Sequence, residues 1–247
     1  MPSERLPITA LVLAGGMGTR LRPVVSDRPK PMALVNGVPF VEILIDSLAE
    51  KGIREFVLLV GSMSDIFEQY SAAYDDKHLW IRFSCETTPL GTGGAVKKAE
   101  DFASDPSLLV NGDTFFDGDV HRLLQFHREK DADVTLSLMP VEEVSRYGAV
   151  TVNEDGLITG FREKHEGITG QGLINAGFSL ISKNFISGLP GDRAFSMERE
   201  IFPKLADSGR MYGLISKRSF FDIGTPESYD DFRKFIKDRE ELSLLQR

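Results

Sequence analysis

LAGGMGTRLRP (residues 13–23) follows directly on the apolar run ITALVL (residues 8–13), and it packs three glycines and two arginines into eleven positions. An unbroken apolar run suits a strand buried on both faces. Glycine then lets the backbone turn sharply and lets amides approach a ligand closely. Arginine offers a planar fork matched to phosphate oxygens. A loop of this kind behind a buried strand predicts a phosphate-binding site. Two familiar phosphate loops are excluded. Leu21 stands where a dinucleotide fingerprint of the form G-x-G-x-x-G needs its third glycine, which disfavours a nicotinamide-dependent dehydrogenase. The Gly-Lys pair of a P-loop does not occur here. Downstream, prolines on both sides of Lys30 restrict the backbone and fix where its ammonium can reach. Arg20, Arg22, Arg28 and Lys30 together make a basic island.

Working outward, helical spacing of apolar residues runs from Pro39 to Lys51 and stops at Gly52. EFVLLVG (55–61), WIRFSC (80–85) and SLLVNGD (107–113) read as further strands, with helices expected over 64–74 and 91–102. Strands alternating with helices imply a mostly parallel sheet covered on both faces. The second half is richer in strands: VTLSLMP, GAVTVN, LITGFREK, LINAGFSLI, MYGLI and SFFDIG, with Asp155-Gly156 as a hairpin signal. Helices are expected near 197–206 and 226–239, and the charged, amphipathic tail RKFIKDREELSLLQR (233–247) reads as a solvated terminal helix. The expected fold is α/β, three-layered and Rossmann-like, with a mixed but mostly parallel sheet and a small β-rich lobe. Residues 1–247 read as one domain, in which 1–113 mainly bind a nucleotide and 114–247 mainly bind the second substrate.

The 247 residues carry a formal net charge of −8, with 41% hydrophobic and 27% charged residues. Such an acidic whole argues against nucleic-acid or anionic-membrane partners, so an anionic substrate must rely on the local island. Cys85 is the only cysteine, which excludes an internal disulfide and a cysteine-based zinc site and suits a reducing cytosol. MPSERLP lacks a signal-peptide pattern and no apolar stretch reaches the ~20 residues of a membrane span. The expectation is a soluble, cytoplasmic protein, and a homo-oligomer is compatible with the sequence. His78, His121, His127 and His165 show no metal-ligand spacing and read as surface or structural.

GGMGTRLRP, PKPM, ETTPLGTGGA, NGD, FREK, INAG and FDIGTPE occur in this order along almost the whole chain. An ordered set of this kind resembles the sugar-1-phosphate nucleotidyltransferases, and within them the guanylyltransferases that act on D-glycero-D-manno-heptose 1-phosphate. The resemblance implies that Leu13, Ala14, Gly15, Gly16, Gly18, Thr19 and Arg20 grip a nucleoside triphosphate, joined by Glu86, Pro89, Gly91, Thr92, Asn111 and Gly112. It implies a phosphate contact for Lys30, with Arg20, Lys30 and Lys164 carrying the catalysis. It assigns Mg²⁺ to Asp113 and Asp222, each at the end of an apolar run, where ligands of open α/β sheets lie. Gly148, Glu163, Lys164 and Asn175 are expected to bind the sugar 1-phosphate. Neighbours on a regular strand point to opposite faces, so Glu163 and Lys164 can share a site only if the strand ends or bends there. A solvated charge cluster is the other reading of Arg162, Glu163 and Lys164.

The implied reaction is attack of a sugar 1-phosphate oxygen on the α-phosphorus of a nucleoside triphosphate, releasing pyrophosphate. The second phosphate ionisation lies near pH 6, so the nucleophile is already largely dianionic and needs no general base. For the base, Glu86 stands where uracil- and thymine-using relatives tend to carry glutamine. A carboxylate can accept both N1–H and the 2-amino group of guanine, whereas uracil and thymine present one N–H between two carbonyls. GTP is the expected donor. A mannose-1-phosphate guanylyltransferase, a hexose-1-phosphate uridylyl- or thymidylyltransferase, and a catalytically silent nucleotide-sugar sensor are the alternatives. The last is disfavoured because Arg20, Lys30, Asp113 and Asp222 are all present.

Overall fold

The computed structural model describes residues 4–16, 21, 28–61, 67, 78–164 and 167–245. Gly18, Thr19, Arg20, Arg22 and the helix expected over 64–74 lie outside the described residues, apart from Phe67. The run after Ile8 forms β1 (Thr9–Leu13), and Lys30–Met32 make a single 3₁₀ turn that leads into the short hairpin β2 (Leu34–Val35) and β3 (Val38–Pro39). Helix α1 (Phe40–Glu50), β4 (Glu55–Val60) and β5 (Trp80–Cys85) follow as the spacing predicts. The helix expected over 91–102 is instead α2 (Gly91–Lys98) followed by a 3₁₀ turn, Glu100–Phe102.

After β6 (Ser107–Asn111) come β7 (Thr114–Phe116) and α3 (Val120–Glu129). The sequence reading missed α3, although Asp119 caps it by accepting from Arg122 N and Val120, Leu123, Leu124 and His127 bury one face at helical spacing. β8 (Val134–Val141), β9 (Ala149–Val152), β10 (Ile158–Arg162) and β11 (Gly172–Ile181) lead to the short α4 (Lys183–Ser187). A π-helical turn, Met197–Ile201, runs into α5 (Phe202–Ala206), and β12 (Met211–Ile215), β13 (Phe220–Asp222) and α6 (Pro226–Leu245) complete the chain.

Nine strands form one sheet in the order β10-β9-β11-β6-β1-β4-β5, with β8 pairing both β11 and β12. The β6-β1-β4-β5 portion is parallel, and β11 joins β6 antiparallel, so the strand-rich second half extends the same sheet. Alternate side chains of the parallel strands enter two cores. Ala10, Val12, Phe56, Leu58 and Val110 pack with α1, α3 and α6, while Leu11, Val57, Leu59 and Leu109 pack with α2, α4 and α5. The three layers of the expected fold are therefore present. No described helix is long and apolar enough to cross a membrane.

The terminal helix begins before the tail that reads as solvated; most of the described tail is exposed, but Ile236 and the residues before it bury one face. Tyr229, Phe232 and Ile236 of α6 are buried, and Phe232 packs edge-on to Phe40 at 5.1 Å and against Phe115 at 5.2 Å. Phe221 of β13 stacks on Phe235 at 4.6 Å and meets Phe232 at 5.4 Å. Such ring pairs contribute about 0.5–1.5 kcal/mol each beyond area burial. They clamp β13, which pairs antiparallel with β7 in a small separate ladder.

His127 on α3 is buried with Nδ1 2.8 Å from Thr135 Oγ1, and burial pushes its pKa from 6.5 down to about 4. As pH falls, the unfolded imidazole takes its proton near 6.5 while the folded one stays neutral. Stability from this group is therefore lost between about pH 6.5 and pH 4, by up to about 3 kcal/mol. Denaturant unfolding at pH 7 and pH 4.5 should show a smaller pH-dependent loss in His127→Gln than in wild type. Equal losses in the two proteins would mean that His127 is not held neutral.

Candidate active site

The four parallel strands end at one edge of the sheet, and the residues just past those ends make the site, as expected for an open α/β sheet. Gly15 and Gly16 follow β1, Glu86 follows β5, and Asp113 follows β6. They line a cleft of about 460 Å³ together with Leu13, Pro31, Leu59, Pro89, Gly91, Thr92, Ala95, Asn111 and Glu198. A second cavity of about 430 Å³ continues from it, sharing Gly91, Thr92, Asn111, Asp113 and Glu198. Its other walls include Thr114, Arg146, Tyr147, Phe161, Glu163, Lys164, Asn175, Arg199, Phe220 and Asp222.

Glu86 is held from two sides. Its N–H donates to Val60 O at 2.9 Å, and its Oε2 accepts from Leu90 N at 2.6 Å. Its Oε1 would lie only 2.8 Å from a Cβ on Gly15, so glycine at 15 gives the carboxylate its room. The glycines of ETTPLGTGGA make close packing contacts. Gly91 has φ +72° and a Cβ there would sit 2.4 Å from Phe195 O, while one on Gly93 would strike the Phe195 ring. Gly93 N donates to Phe195 O at 3.0 Å and Phe195 N to Leu90 O at 2.9 Å. Their close approach is to the chain near Phe195, which brings the π-helical turn against α2.

The two aspartates come together through the β7–β13 ladder, where Asp222 pairs with Thr114 and Ile223 N donates to Asp113 O at 3.0 Å. Lys30, only 9% exposed, places its ammonium 2.7 Å from Asp113 Oδ2 and 3.5 Å from Asp222 Oδ1. Asp222 Oδ1 also accepts from Gly224 N at 2.7 Å. Among the described residues no group of three or more His, Cys, Asp or Glu side chains is placed to hold a metal ion. The carboxylate pair is the remaining candidate, and two carboxylates completed by phosphate oxygens suit Mg²⁺.

β10 ends at Arg162, so Glu163 and Lys164 leave the strand and both line the second cavity, 3.9 Å apart. The conflict over alternating strand faces is removed. Asn175 Oδ1 accepts from Gly177 N at 3.0 Å, which orients its NH₂ group as the available donor. Ala14, Gly112 and Gly148 are not among the residues lining either cavity. A Cβ on Gly112 would lie 2.5 Å from Leu13 O, and one on Gly148, at φ +85°, 2.3 Å from Arg162 O. These two glycines shape the strand ends. Tyr147 lines the second cavity, and its pKa is raised, chiefly by burial, so its hydroxyl stays protonated.

Sequence reasoning missed Glu198. It lines both cavities, and its Oε2 accepts from Thr92 Oγ1 at 2.7 Å and Ser196 Oγ at 2.8 Å. Thr92 Oγ1 also accepts from Met197 N at 2.9 Å, locking α2 to the π-helical turn. The π turn was the available signal, since such turns cluster at functional sites, but it is invisible to hydrophobic periodicity.

Gly91→Ala should destabilise the protein by about 1–3 kcal/mol through backbone strain alone, and the clash with Phe195 O should add to this. Thermal unfolding of the variant beside Gly167→Ala, which meets nothing within 4 Å at a similar φ of +67°, separates the two contributions. Equal losses would remove the packing role of Gly91.

Comparison with known proteins agrees with this geometry. The Nucleotidyl transferase family model matches residues 9–239. The D-glycero-alpha-D-manno-heptose 1-phosphate guanylyltransferase of Campylobacter jejuni is 36% identical over 228 residues, which cover 90% of this chain and 97% of that protein. The mannose-1-phosphate guanylyltransferase of Mycobacterium tuberculosis is 37% identical over 226 residues, 90% of this chain and 62% of its own length. HddC from Yersinia pseudotuberculosis, 32% identical, superposes with a TM-score of 0.83 over 93% of this chain and 99% of HddC. The same HddC has been solved in complex with GMP-PN. A shared fold and a match from Thr9 to the terminal helix establish that the chain belongs to the nucleotidyl transferase family.

Proposed function

We propose that the protein transfers GMP from GTP to a sugar 1-phosphate, most specifically D-glycero-α-D-manno-heptose 1-phosphate, giving a GDP-sugar and pyrophosphate. The observation that carries this is the meeting of two cavities at Asp113, one with the anchored Glu86 carboxylate and one with Glu163, Lys164 and Asn175. The heptose relative matches nearly end to end, and HddC was solved with a guanine nucleotide analogue. The mannose relative, at similar identity, makes mannose 1-phosphate the second acceptor to try.

In this reading residues 1–113 mainly hold the nucleotide and 114–247 the sugar. Leu13, Gly15, Gly16 and Asn111 approach the ribose and phosphates, and Arg20 and Lys30 supply positive charge to the triphosphate. Glu86 accepts the two N–H donors of guanine. Lys164 binds the acceptor phosphate, Glu163 and Glu198 accept sugar hydroxyls, and the Asn175 NH₂ donates to a sugar oxygen. Asp113 and Asp222 would hold Mg²⁺, and they fit a cation because they already share the Lys30 ammonium. The metal, when bound, neutralises charge on the triphosphate and the departing pyrophosphate. Because the acceptor phosphate is largely dianionic, the side chains need only align it and offset charge. The described histidines take no part.

The test is pyrophosphate release with each of the four triphosphates and a panel of sugar 1-phosphates. Wild type should favour GTP over UTP and dTTP, and Glu86→Gln should lose about 10- to 100-fold of that preference, the worth of one bidentate base contact. A wild type that prefers UTP, or an unmoved ranking in the variant, removes Glu86 from base recognition.

The acceptor wall makes a second expectation. Glu163→Gln should raise KM for the sugar 1-phosphate and leave KM for GTP nearly unchanged, whereas Glu198→Gln, at a residue that lines both cavities, should raise KM for the sugar 1-phosphate and affect GTP as well. Lys164→Met should lower kcat/KM by about 2–4 kcal/mol of transition-state stabilisation, the usual loss for a preorganised charged donor. Unchanged acceptor kinetics in Glu163→Gln and Lys164→Met would return those two residues to a solvated charge cluster.

A further inference from the structure

Lys30 is bound more closely to the aspartate pair than a phosphate-binding lysine needs to be. Its backbone is pinned in a 3₁₀ turn between Pro29 and Pro31, with Met32 N donating to Pro29 O at 2.8 Å and Ala33 N to Lys30 O at 3.0 Å. Only its side chain can move. That side chain is nearly buried and bridges Asp113 and Asp222 at 2.7 and 3.5 Å, while the carboxylates are 41% and 19% exposed. Among the described residues, the two carboxylates are thus already bridged by one ammonium.

We propose that Lys30 is the resident cation of this carboxylate pair, so that the protein excludes a free divalent ion and accepts it together with the triphosphate. This rests on the reading that Asp113 and Asp222 hold the metal. A divalent ion entering alone would compete with the ammonium for the same oxygens. Two like-signed cations at such separation repel strongly in a partly desolvated pocket. A triphosphate reverses the balance. It brings several negative charges and gives the ammonium new acceptors. Pro31 and Asp113 both line the nucleotide cavity, so the lysine needs only a side-chain swing to reach the phosphates. Metal and nucleotide binding are then coupled through one side chain, and by linkage each strengthens the other equally.

The experiment is Mn²⁺ binding to the nucleotide-free protein, followed by electron paramagnetic resonance and calorimetry. Lys30→Met and Lys30→Gln should bind Mn²⁺ at least about 10-fold more tightly than wild type, whereas Lys30→Arg, which keeps the charge, should stay weak. Adding Asp113→Asn and Asp222→Asn to Lys30→Gln should abolish the gain. GTP affinity measured with and without Mn²⁺, in the absence of acceptor, should show strong synergy in wild type and little in Lys30→Gln. Equal or weaker Mn²⁺ binding by both neutral variants overturns the proposal. If GTP affinity responds to Mn²⁺ but not to Asp113→Asn or Asp222→Asn, the metal assignment itself fails. If it depends on both aspartates while the neutral variants bind Mn²⁺ no better, only the role of Lys30 fails.

Discussion

Asp113 and Asp222 come from distant parts of the chain and are forced together where β7 pairs with β13. Two carboxylates brought this close repel, so their juxtaposition must be held by something stronger than their own contacts. Two features hold it. The Phe221, Phe232 and Phe235 rings clamp β13 against the terminal helix, and the Lys30 ammonium offsets part of the charge from its proline-bounded turn. The aromatic core below and the lysine above are thus parts of one arrangement whose centre is an electrostatic liability.

Around this centre the sheet does the positioning. Parallel strands deliver their carboxyl ends to one edge, and three of the four ends contribute a group: the glycines after β1, Glu86 after β5, Asp113 after β6. The antiparallel strands added by the second half bring Asn175 and the chain beyond β10 to the same edge. The two cavities are joined rather than separated, and the Thr92–Glu198 hydrogen bond spans their boundary. A nucleotide and a sugar phosphate bound side by side would share that wall, which fits a transfer between them without a covalent intermediate.

Much of this was legible from local chemistry. The continuous apolar runs specify β1, β4, β5 and β6 because a strand buried on both faces needs no polar alternation. The Gly/Arg loop, the proline-flanked Lys30 and the carboxylate at 86 each follow from what one short stretch can do. Their order along the chain was enough to indicate the family. The helix after Gly91 was also visible, though not its break at Lys98, since Ala99 and the following turn show no strong stop signal.

What the sequence could not decide depended on contacts between distant segments. Ile236 lies in the charged tail that reads as solvated, with Tyr229 and Phe232 just before it, and only the Phe40, Phe115 and Phe221 rings reveal which face is buried. Nothing local marks Phe195, far along the chain, as the neighbour that excludes a Cβ at Gly91 and Gly93. Glu198 carries no local mark of function and gains its place only when Thr92 is brought to it. Local patterns determined the parallel strands and the candidate charges, because those follow from short-range geometry. Tertiary structure alone decided which charges meet, because meeting depends on the pairing of β7 with β13 and on the packing that holds it.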